Sequence, residues 1–409
     1  MLLSVFTPTH RVEHLPAVWS CLLHQTHKDW EWVVVPNGAN YPVIADALIR
    51  LVKGDKRAKI VVYSGTTDSV GKLKKFACGH ATGDAFVELD HDDILTDDAL
   101  HAVAQAAERC PSASFIYSDA VTCTHAGHVS LFNPTYGWRH YDCVVGGKPC
   151  RTNASFPHNA RSLCEILYAP DHVRAWTRAA YEAVGGHNPE LDVADDHELI
   201  VKSYLAGAHF EHIPRPLYIH RMDGTNTSQV KSGRISQLSR VTRDKYLHAL
   251  VAEWCRREAL PIVELTDGDN EWQQLFTTPD DSVGCFKAFD FLDRIPQADT
   301  IQITNLLYRK LVPGGWLLTK TPTVCDDDGK FGRGAFHPAH RSLWSSNSFW
   351  PFTDKTQTLP AVQCRFQTVR VTNHYPSDWH KLHLIPYVSW DGMALKDDDA
   401  NHYPGPKAI

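Results

Sequence analysis

Two groups of carboxylates carry the chemistry that this sequence advertises. The first lies in "FVELDHDDIL", Phe86 to Leu95, where Asp90, Asp92 and Asp93 crowd behind a short apolar run. Such density of like charge is unfavourable in an ordinary strand, so it calls for a partner of opposite sign. Hard carboxylate oxygens suit a divalent cation such as Mg2+ or Mn2+, which could bridge the oxygens of a diphosphate and stabilise the charge that develops when a nucleoside diphosphate leaves. The second group is the pair Asp195 and Asp196 in "ADDHELIVKSYLAG". Adjacent carboxylates raise one another's pKa, and partial burial raises one further, which is how a general base is tuned. Both groups have a plainer use as helix N-caps, and Asp97 and Asp98 suit that use better than Asp90 and Asp92 do.

The elements that must position these acids alternate between strand and helix. "LLSVF", "EWVVV", "KIVVY", "AFVEL" and "SFIYSD" read as strands. Between them, Leu15, Val18, Trp19, Leu22 and Leu23, and later Leu100, Val103, Ala104 and Ala107, recur at helical spacing. "GKLKKFACGHA" reads as the helix before the acidic strand. The acids therefore fall where a strand ends, which is where open α/β sheets bind ligands. The stretch from about residue 133 to 162 has no periodicity and reads as a long binding loop. "HFEHI" and "PLYIH" are short strands, and "QLSRVTRDKYLHALVAEWCRREAL" is a helical connector. A second α/β pattern begins at "PIVEL"; it contains the stripe Ile303, Leu306, Leu307 and Leu311, the turn "VPGG" and the strand "WLLT".

Composition narrows the class. A chain of 409 residues exceeds one ordinary core, so two domains are expected. The net charge of −6 disfavours a general nucleic-acid binder. The 11 cysteines, an odd number, contain no CxxC pair and read as mostly buried thiols of a reducing compartment. No apolar run reaches the roughly 20 residues of a spanning helix, and "MLLSVFTPTH" reads as a first strand, not a signal peptide. A cytoplasmic protein is expected.

Three blocks place these features in a family. "SVFTPTHRVEHLPAVWSCLLHQTHKDWEWVVVPNGA", "GKLKKFACGHATGDAFVELDHDDIL" and "LDVADDHELIVKSYLAGAHFEHIPRPLYIHRMDGTNTS" occur in this order. Together they closely resemble the family-2-type glycosyltransferases of GT-A fold, whose second block ends in a DxD motif. The resemblance implies a Rossmann-like domain over residues 1–228. Thr7, Pro8 and Thr9 would line the base pocket. Asn37 stands in "PNGA" where the family usually carries "DDGS"; an amide donates as well as accepts, which leaves base preference open. Lys74, with Lys72 and Lys75 as competitors, would face the diphosphate. Asp90 would contact ribose or metal, Asp92 would be the main metal ligand, and His220 would complete the metal site. Of the paired acids, Asp196 would be the base and Asp195 the cap. Trp138, Arg139 and Trp176 are candidates for the acceptor pocket because aromatic faces stack on sugar rings, and Gly185 and Gly186 match the family's turn before the paired acids.

Residues 229–260 then serve as a connector and 261–409 as a second domain. "AFDFLDRIPQADTIQITNLLYRKLVPGGWLLTKTP" and "GRGAFHPAHRSLWSSNSFWPFTD" resemble the latter half of class I S-adenosylmethionine-dependent methyltransferases. The glycine-rich loop of those enzymes is missing, and the acid of their second strand would be Glu264 or Asp267. The expectation is a truncated, inactive relative used for assembly or acceptor recognition, which leaves homo-oligomerisation through it open. The implied activity is an inverting, metal-dependent, hexosyltransferase-type reaction using Mn2+ or Mg2+. The donor would be a nucleotide sugar, UDP-linked by first expectation, and the acceptor a glycan, lipid-linked sugar or protein. The alternatives are a functioning methyltransferase with an accessory sugar-nucleotide domain, and a non-catalytic module that binds glycan or sugar nucleotide.

Overall fold

The computed structural model describes residues 1–396 except 66, 68, 125–126, 135–137, 166–169, 223, 266–274, 327, 334–336, 355 and 358. The acid candidate Asp267 and residues 334–336 of the second methyltransferase-like stretch lie outside the described residues. The chain divides into two compact units, one formed by Met1–Asn133 and Trp138–Leu250, the other beginning at Val251.

The strands of the first unit are β1 (Leu3–Thr9), β2 (Trp30–Pro36), β3 (Ala58–Ile60), β4 (Ala85–Glu88), β5 (Ile94–Leu95), β6 (Ser114–Thr124), β7 (Val129–Ser130), β8 (Arg139–Val145), β9 (Lys148–Ala154), β10 (Arg174–Thr177) and β11 (His209–Met222). Its helices are α1 (Leu15–His24), α2 (Tyr41–Val52), α3 (Val70–Gly79), α4 (Ala99–Arg109), α5 (Ala160–Glu165), α6 (Arg178–Ala183), α7 (Asp195–Leu205) and α8 (Thr227–Val230); α9 (Ser232–Arg257) leads into the second unit. The main sheet runs β3-β2-β1-β4-β10-β6-β11-β5. β1, β2, β3 and β4 are mutually parallel, β10 runs antiparallel to both β4 and β6, and β6 is parallel to β11.

Local sequence explains this layout. All seven residues of β2, "WEWVVVP", are buried, the near-continuous apolar run of a strand covered on both faces. In α2, Ile44, Leu48 and Val52 point inward four residues apart. In α1 the expected stripe Leu15, Val18, Trp19 and Leu22 is buried, with Cys21 beside it, whereas Leu23 at its edge is exposed.

Two expectations need correcting. The aperiodic stretch after residue 133 is not one long loop, because β8 and β9 form a hairpin within it. Its turn is Gly146-Gly147, both at positive φ, as a two-residue hairpin requires. The pair "HFEHI" and "PLYIH" is one strand, β11, irregular between Ile213 and Tyr218 where the prolines interrupt the ladder. The cysteines are free thiols and mostly buried, as expected: Cys21, Cys78, Cys164, Cys255, Cys285 and Cys364 are buried, and Cys110, Cys123, Cys143, Cys150 and Cys325 are half-buried.

The second unit has its own sheet. β12 (Ile262–Leu265), β13 (Val283–Phe289) and β14 (Leu311–Pro322) are parallel, and β16 (Tyr387–Ala394) runs antiparallel between β14 and β15 (Phe366–His374). The helix Thr300–Lys310 buries Ile303, Leu306 and Leu307 against this sheet's core. The "VPGG" stretch belongs to β14 itself, where the ladder with β13 is irregular.

Candidate active site

A cavity of about 370 Å³ opens at the carboxyl ends of the parallel strands of the first unit. Pro8 and Asn37 line it from the ends of β1 and β2, Glu88, Asp90, His91 and Asp92 from the end of β4, and His220 and Met222 from the end of β11. Arg174 of β10, Lys74 of α3 and Asp196 at the start of α7 complete its charged wall. These residues are far apart in sequence. They meet because parallel strands present their carboxyl ends to one side.

The acidic turn is held from β11. Buried Asp93 accepts from the Tyr218 hydroxyl at 2.9 Å and from the Arg221 backbone N–H at 2.7 Å. The Asn226 amide donates to Asp92 Oδ2 at 2.9 Å. Asp93 is therefore the internal tie of the motif, while Asp90 and Asp92 face the cavity. Burial, followed by the neighbouring charges of Asp92 and Asp90, pushes the Asp93 carboxyl well above its usual range. Asp90, Asp92 and His220 line the same cavity, and their oxygen-rich donor set could hold a hard divalent cation. Burial keeps the His220 ring neutral by lowering its pKa, the state in which imidazole binds metal. Among the described residues, the one trio whose donor atoms already gather within 4.8 Å is a different one, Cys110, His209 and Glu211. It could hold a metal ion, but it sits at the amino end of β11, roughly 30 Å along the strand from His220.

The paired acids divide their tasks. Ala194, at φ 58°, turns the chain by a left-handed step just before α7 and lines the cavity. Such a conformation is strained for a residue with a Cβ and is tolerated where the surroundings over-determine it. Asp196 lines the cavity and bonds the Arg174 guanidinium. Burial alone would raise the Asp196 pKa, but Arg174, Lys74 and His172 outweigh it and hold the carboxyl below the usual carboxylate range. Asp195 points away from the cavity wall. It is almost fully buried, 3.7 Å from Lys74 Nζ and 3.7 Å from His187 Nε2, and burial pushes its pKa up to about 7.

Lys74 is an internal counter-ion. Its ammonium bonds Glu88, whose pKa is lowered to about 2: burial opposes ionisation, but Lys74, His172 and Arg174 prevail. Helix α3 carries Lys74 to this place because it packs tightly on the loop before α7. A Cβ on Gly71 would come within 2.1 Å of the Asn188 carbonyl oxygen, the Gly71 N–H donates to the Leu191 carbonyl, and the Ser69 hydroxyl donates to the Pro189 carbonyl at 2.6 Å.

The other sequence candidates scatter. Asn37 donates its amide to the Thr9 and Val35 carbonyls and lines the cavity. Thr7 and Thr9 are buried and spend their hydroxyls on the Leu89 and Arg11 carbonyls. They shape the wall from behind Pro8. Lys72 and Lys75 are exposed and do not line the cavity. Trp176 is fully buried in the core against Phe115 and His187, because it sits in the middle of the main sheet on β10; it is not a cavity wall. Trp138 packs on Phe132 and Phe156, and Arg139 is exposed. Of that cluster Phe132 reaches the cavity. Gly185 and Gly186, both at positive φ, make the turn that delivers buried His187, and a Cβ on Gly186 would strike the Tyr181 ring. Sequence reasoning missed Arg174, Glu88 and His172. A charge inside "HVRAWT" and another inside "AFVEL" were the available signals, since a charge in a buried strand needs a partner.

Comparison with known proteins agrees with this architecture. Residues 4–140 match the family described as "Glycosyl transferase family 2". The O-antigen biosynthesis protein RfbC of Myxococcus xanthus is 25% identical over 235 residues, covering 56% of this chain and 16% of that protein. The uncharacterized protein y4gI of Sinorhizobium fredii (strain NBRC 101917 / NGR234) is 24% identical over 226 residues, covering 54% of this chain and 22% of that protein. The chain thus spans less than a quarter of the length of either relative. Among solved structures, S. aureus TarS 1-349 in complex with UDP-GlcNAc is 12% identical with a TM-score of 0.44, covering 75% of this chain and 80% of that one. The mannosyltransferase PcManGT from Pyrobaculum calidifontis in complex with GDP-Man and Mn2+ is 15% identical with a TM-score of 0.39, covering 63% and 75%. Among the described residues no helix is long and apolar enough to cross a membrane.

Proposed function

We infer that the amino-terminal part of the chain, whose residues 4–140 match glycosyl transferase family 2, has a GT-A-like glycosyltransferase fold, and that a distinct α/β unit follows it. From this premise we propose that the first unit is an inverting glycosyltransferase that moves a sugar from a nucleoside diphosphate to an acceptor hydroxyl. The observation that carries the reading is the meeting, in one cavity, of Asp90, Asp92 and His220 with the Arg174-bound Asp196. Asp90, Asp92 and His220 would hold a divalent cation, Mn2+ or Mg2+, which when bound neutralises the departing diphosphate. Asn37 and Pro8 would receive the nucleoside at the ends of β1 and β2. Asp196 would accept the proton of the acceptor hydroxyl as its oxygen attacks the anomeric carbon from the face opposite the diphosphate. Arg174 orients that carboxylate and keeps it ionised, so a proton acceptor is always present. Asp195, Lys74 and Glu88 form the charged support behind it.

The second unit is proposed to lack methyl transfer and to serve assembly or acceptor recognition. This reading rests on the sequence entering β12 from α9 without a glycine-rich loop.

The test is a panel of UDP-, GDP- and TDP-sugars, read as thermal shift with and without Mn2+ and then as slow donor hydrolysis. A metal-dependent shift with one nucleotide class, lost in Asp92→Asn, is expected. No shift with any donor, or a shift independent of metal and of Asp92, would remove the proposal. Tight S-adenosylmethionine binding would overturn the reading of the second unit.

A further inference from the structure

The β8–β9 hairpin carries a feature that the transfer chemistry does not use. Cys143 and Cys150 stand directly opposite one another in its antiparallel ladder. Their Sγ atoms are 3.1 Å apart, and both residues are half-buried, within reach of small reagents. Directly opposed residues of an antiparallel pair have Cα atoms about 4.5–5.5 Å apart, inside the span of a disulfide. The register that opposes them is set locally. The two-residue turn Gly146-Gly147, with φ 58° and 76°, closes between Val145 and Lys148, and Val144 and Pro149 come next. The hairpin is anchored to the main sheet: Asn153 pairs with Ala120, and the Tyr141 hydroxyl donates to Asp119 at 2.5 Å. The two thiols are thus held together by a fixed ladder.

We propose that Cys143 and Cys150 are an oxidisable dithiol, a modification site that a peroxide or a low-molecular-weight disulfide converts into a cross-strand disulfide. With glutathione disulfide, one cysteine thiolate attacks a sulfur and expels one glutathione thiolate. The second cysteine then displaces the other, so two glutathione thiols are released as one protein disulfide forms. With hydrogen peroxide, the first thiolate cleaves the O–O bond to give a sulfenic acid and hydroxide, which takes up the proton that the thiol released and becomes water; the second thiol then displaces a second water as the disulfide forms. Burial, and then the hydrogen bond with Cys150, hold the Cys143 thiol up to about 12. Since the thiolate is the nucleophile, the reaction accelerates as pH rises.

The sequence offers a direct readout on the full chain. Trypsin cuts after Arg139 and Arg151 but not at Lys148, which precedes Pro149, so residues 140–151 leave as one peptide with both cysteines. Reduced protein is desalted, exposed to glutathione disulfide or peroxide, alkylated and digested. The expected product is this peptide lighter by two hydrogens and carrying no alkyl group, with melting raised by a few degrees relative to the reduced form. In Cys143→Ser the glutathione disulfide treatment should leave Cys150 as a glutathione mixed disulfide. A peptide that remains doubly alkylated, or a link from either cysteine to Cys123, would overturn the proposal.

Discussion

The Arg174 guanidinium rests on the Asp196 carboxylate, and both side chains line the same cavity although they come from different elements, β10 and α7. Arg174 is buried and Asp196 is partly exposed to the cavity, so the pair is only partly screened by solvent. In the proposed reaction, this arrangement lets Asp196 meet an acceptor in the cavity while it remains ionised. Asp196→Asn preserves size but cannot take a proton. Its turnover should fall about 10²–10⁴-fold, with donor affinity little changed. Asp195→Asn should act mainly through stability, because Asp195 does not line the cavity. Equal turnover in Asp196→Asn and wild type would exclude this base.

Arg174→Gln gives the matching pH test. Asp196 must be ionised to act. With Arg174 present its pKa lies below the usual range, so activity should persist on the acid side. Without Arg174 burial dominates and the pKa rises, so the acid limb of kcat should move to higher pH. An acid limb that stays in place would show that another group controls it.

Asp92 and Asp93 should separate by what they affect. Asp92→Asn should weaken Mn2+-dependent donor binding at least tenfold and leave melting nearly unchanged, because its carboxylate faces the cavity. Asp93→Ala removes the acceptor of Tyr218 and the Arg221 backbone. Leaving a buried donor unsatisfied costs about 1–3 kcal/mol, so its melting temperature should drop. Calorimetric binding and thermal melts of both variants decide; reversed behaviour would refute the division.

Acid stability should depend on Glu31. Its carboxylate accepts from the Ser4 hydroxyl and the Thr82 hydroxyl and pairs with Lys59 at 2.7 Å. Burial opposes ionisation, but Lys59, Ser4 and Thr82 lower the pKa to about 2. The folded value lies below the unfolded one, so this stabilisation is complete above about pH 4.5 and is lost as pH falls towards 2. Allowing for solvent screening of Lys59, it amounts to about 2 kcal/mol. Glu31→Gln should be less stable than wild type at pH 7, with the difference shrinking below pH 4.5. Urea melts across pH would show it, and a constant difference would contradict the assignment.

Gly71→Ala tests how α3 positions the charged support. A Cβ there meets the Asn188 backbone oxygen at 2.1 Å, so the helix or the loop must shift. Overpacking of this kind typically costs about 1–3 kcal/mol. Lower melting together with weaker donor binding is expected, since Lys74 sits one turn along the same helix. Normal stability and binding would show that the contact yields freely.

The sequence by itself determined much of this protein. Alternating apolar runs and helical stripes define the strand–helix order, because side-chain period is a local property. The acids of Asp90–Asp93 and the Asp195–Asp196 pair stood out in the sequence, because so much like charge in a short stretch calls for a partner, although helix capping was an equally local use for them. Tertiary structure decided what each charge does. Lys74 looked like a donor-facing cation; it does line the cavity, and α3 also sets its ammonium on Glu88 and near Asp195. Arg174 lay unnoticed in an apolar strand until β10 brought it to Asp196. Trp176 looked like a sugar platform, but β10 lies inside the sheet and buries it. The thiols of Cys143 and Cys150 became partners only through hairpin register. Burial, charge pairing and register depend on which distant segments meet, and the pattern of neighbours along the chain does not encode those meetings locally.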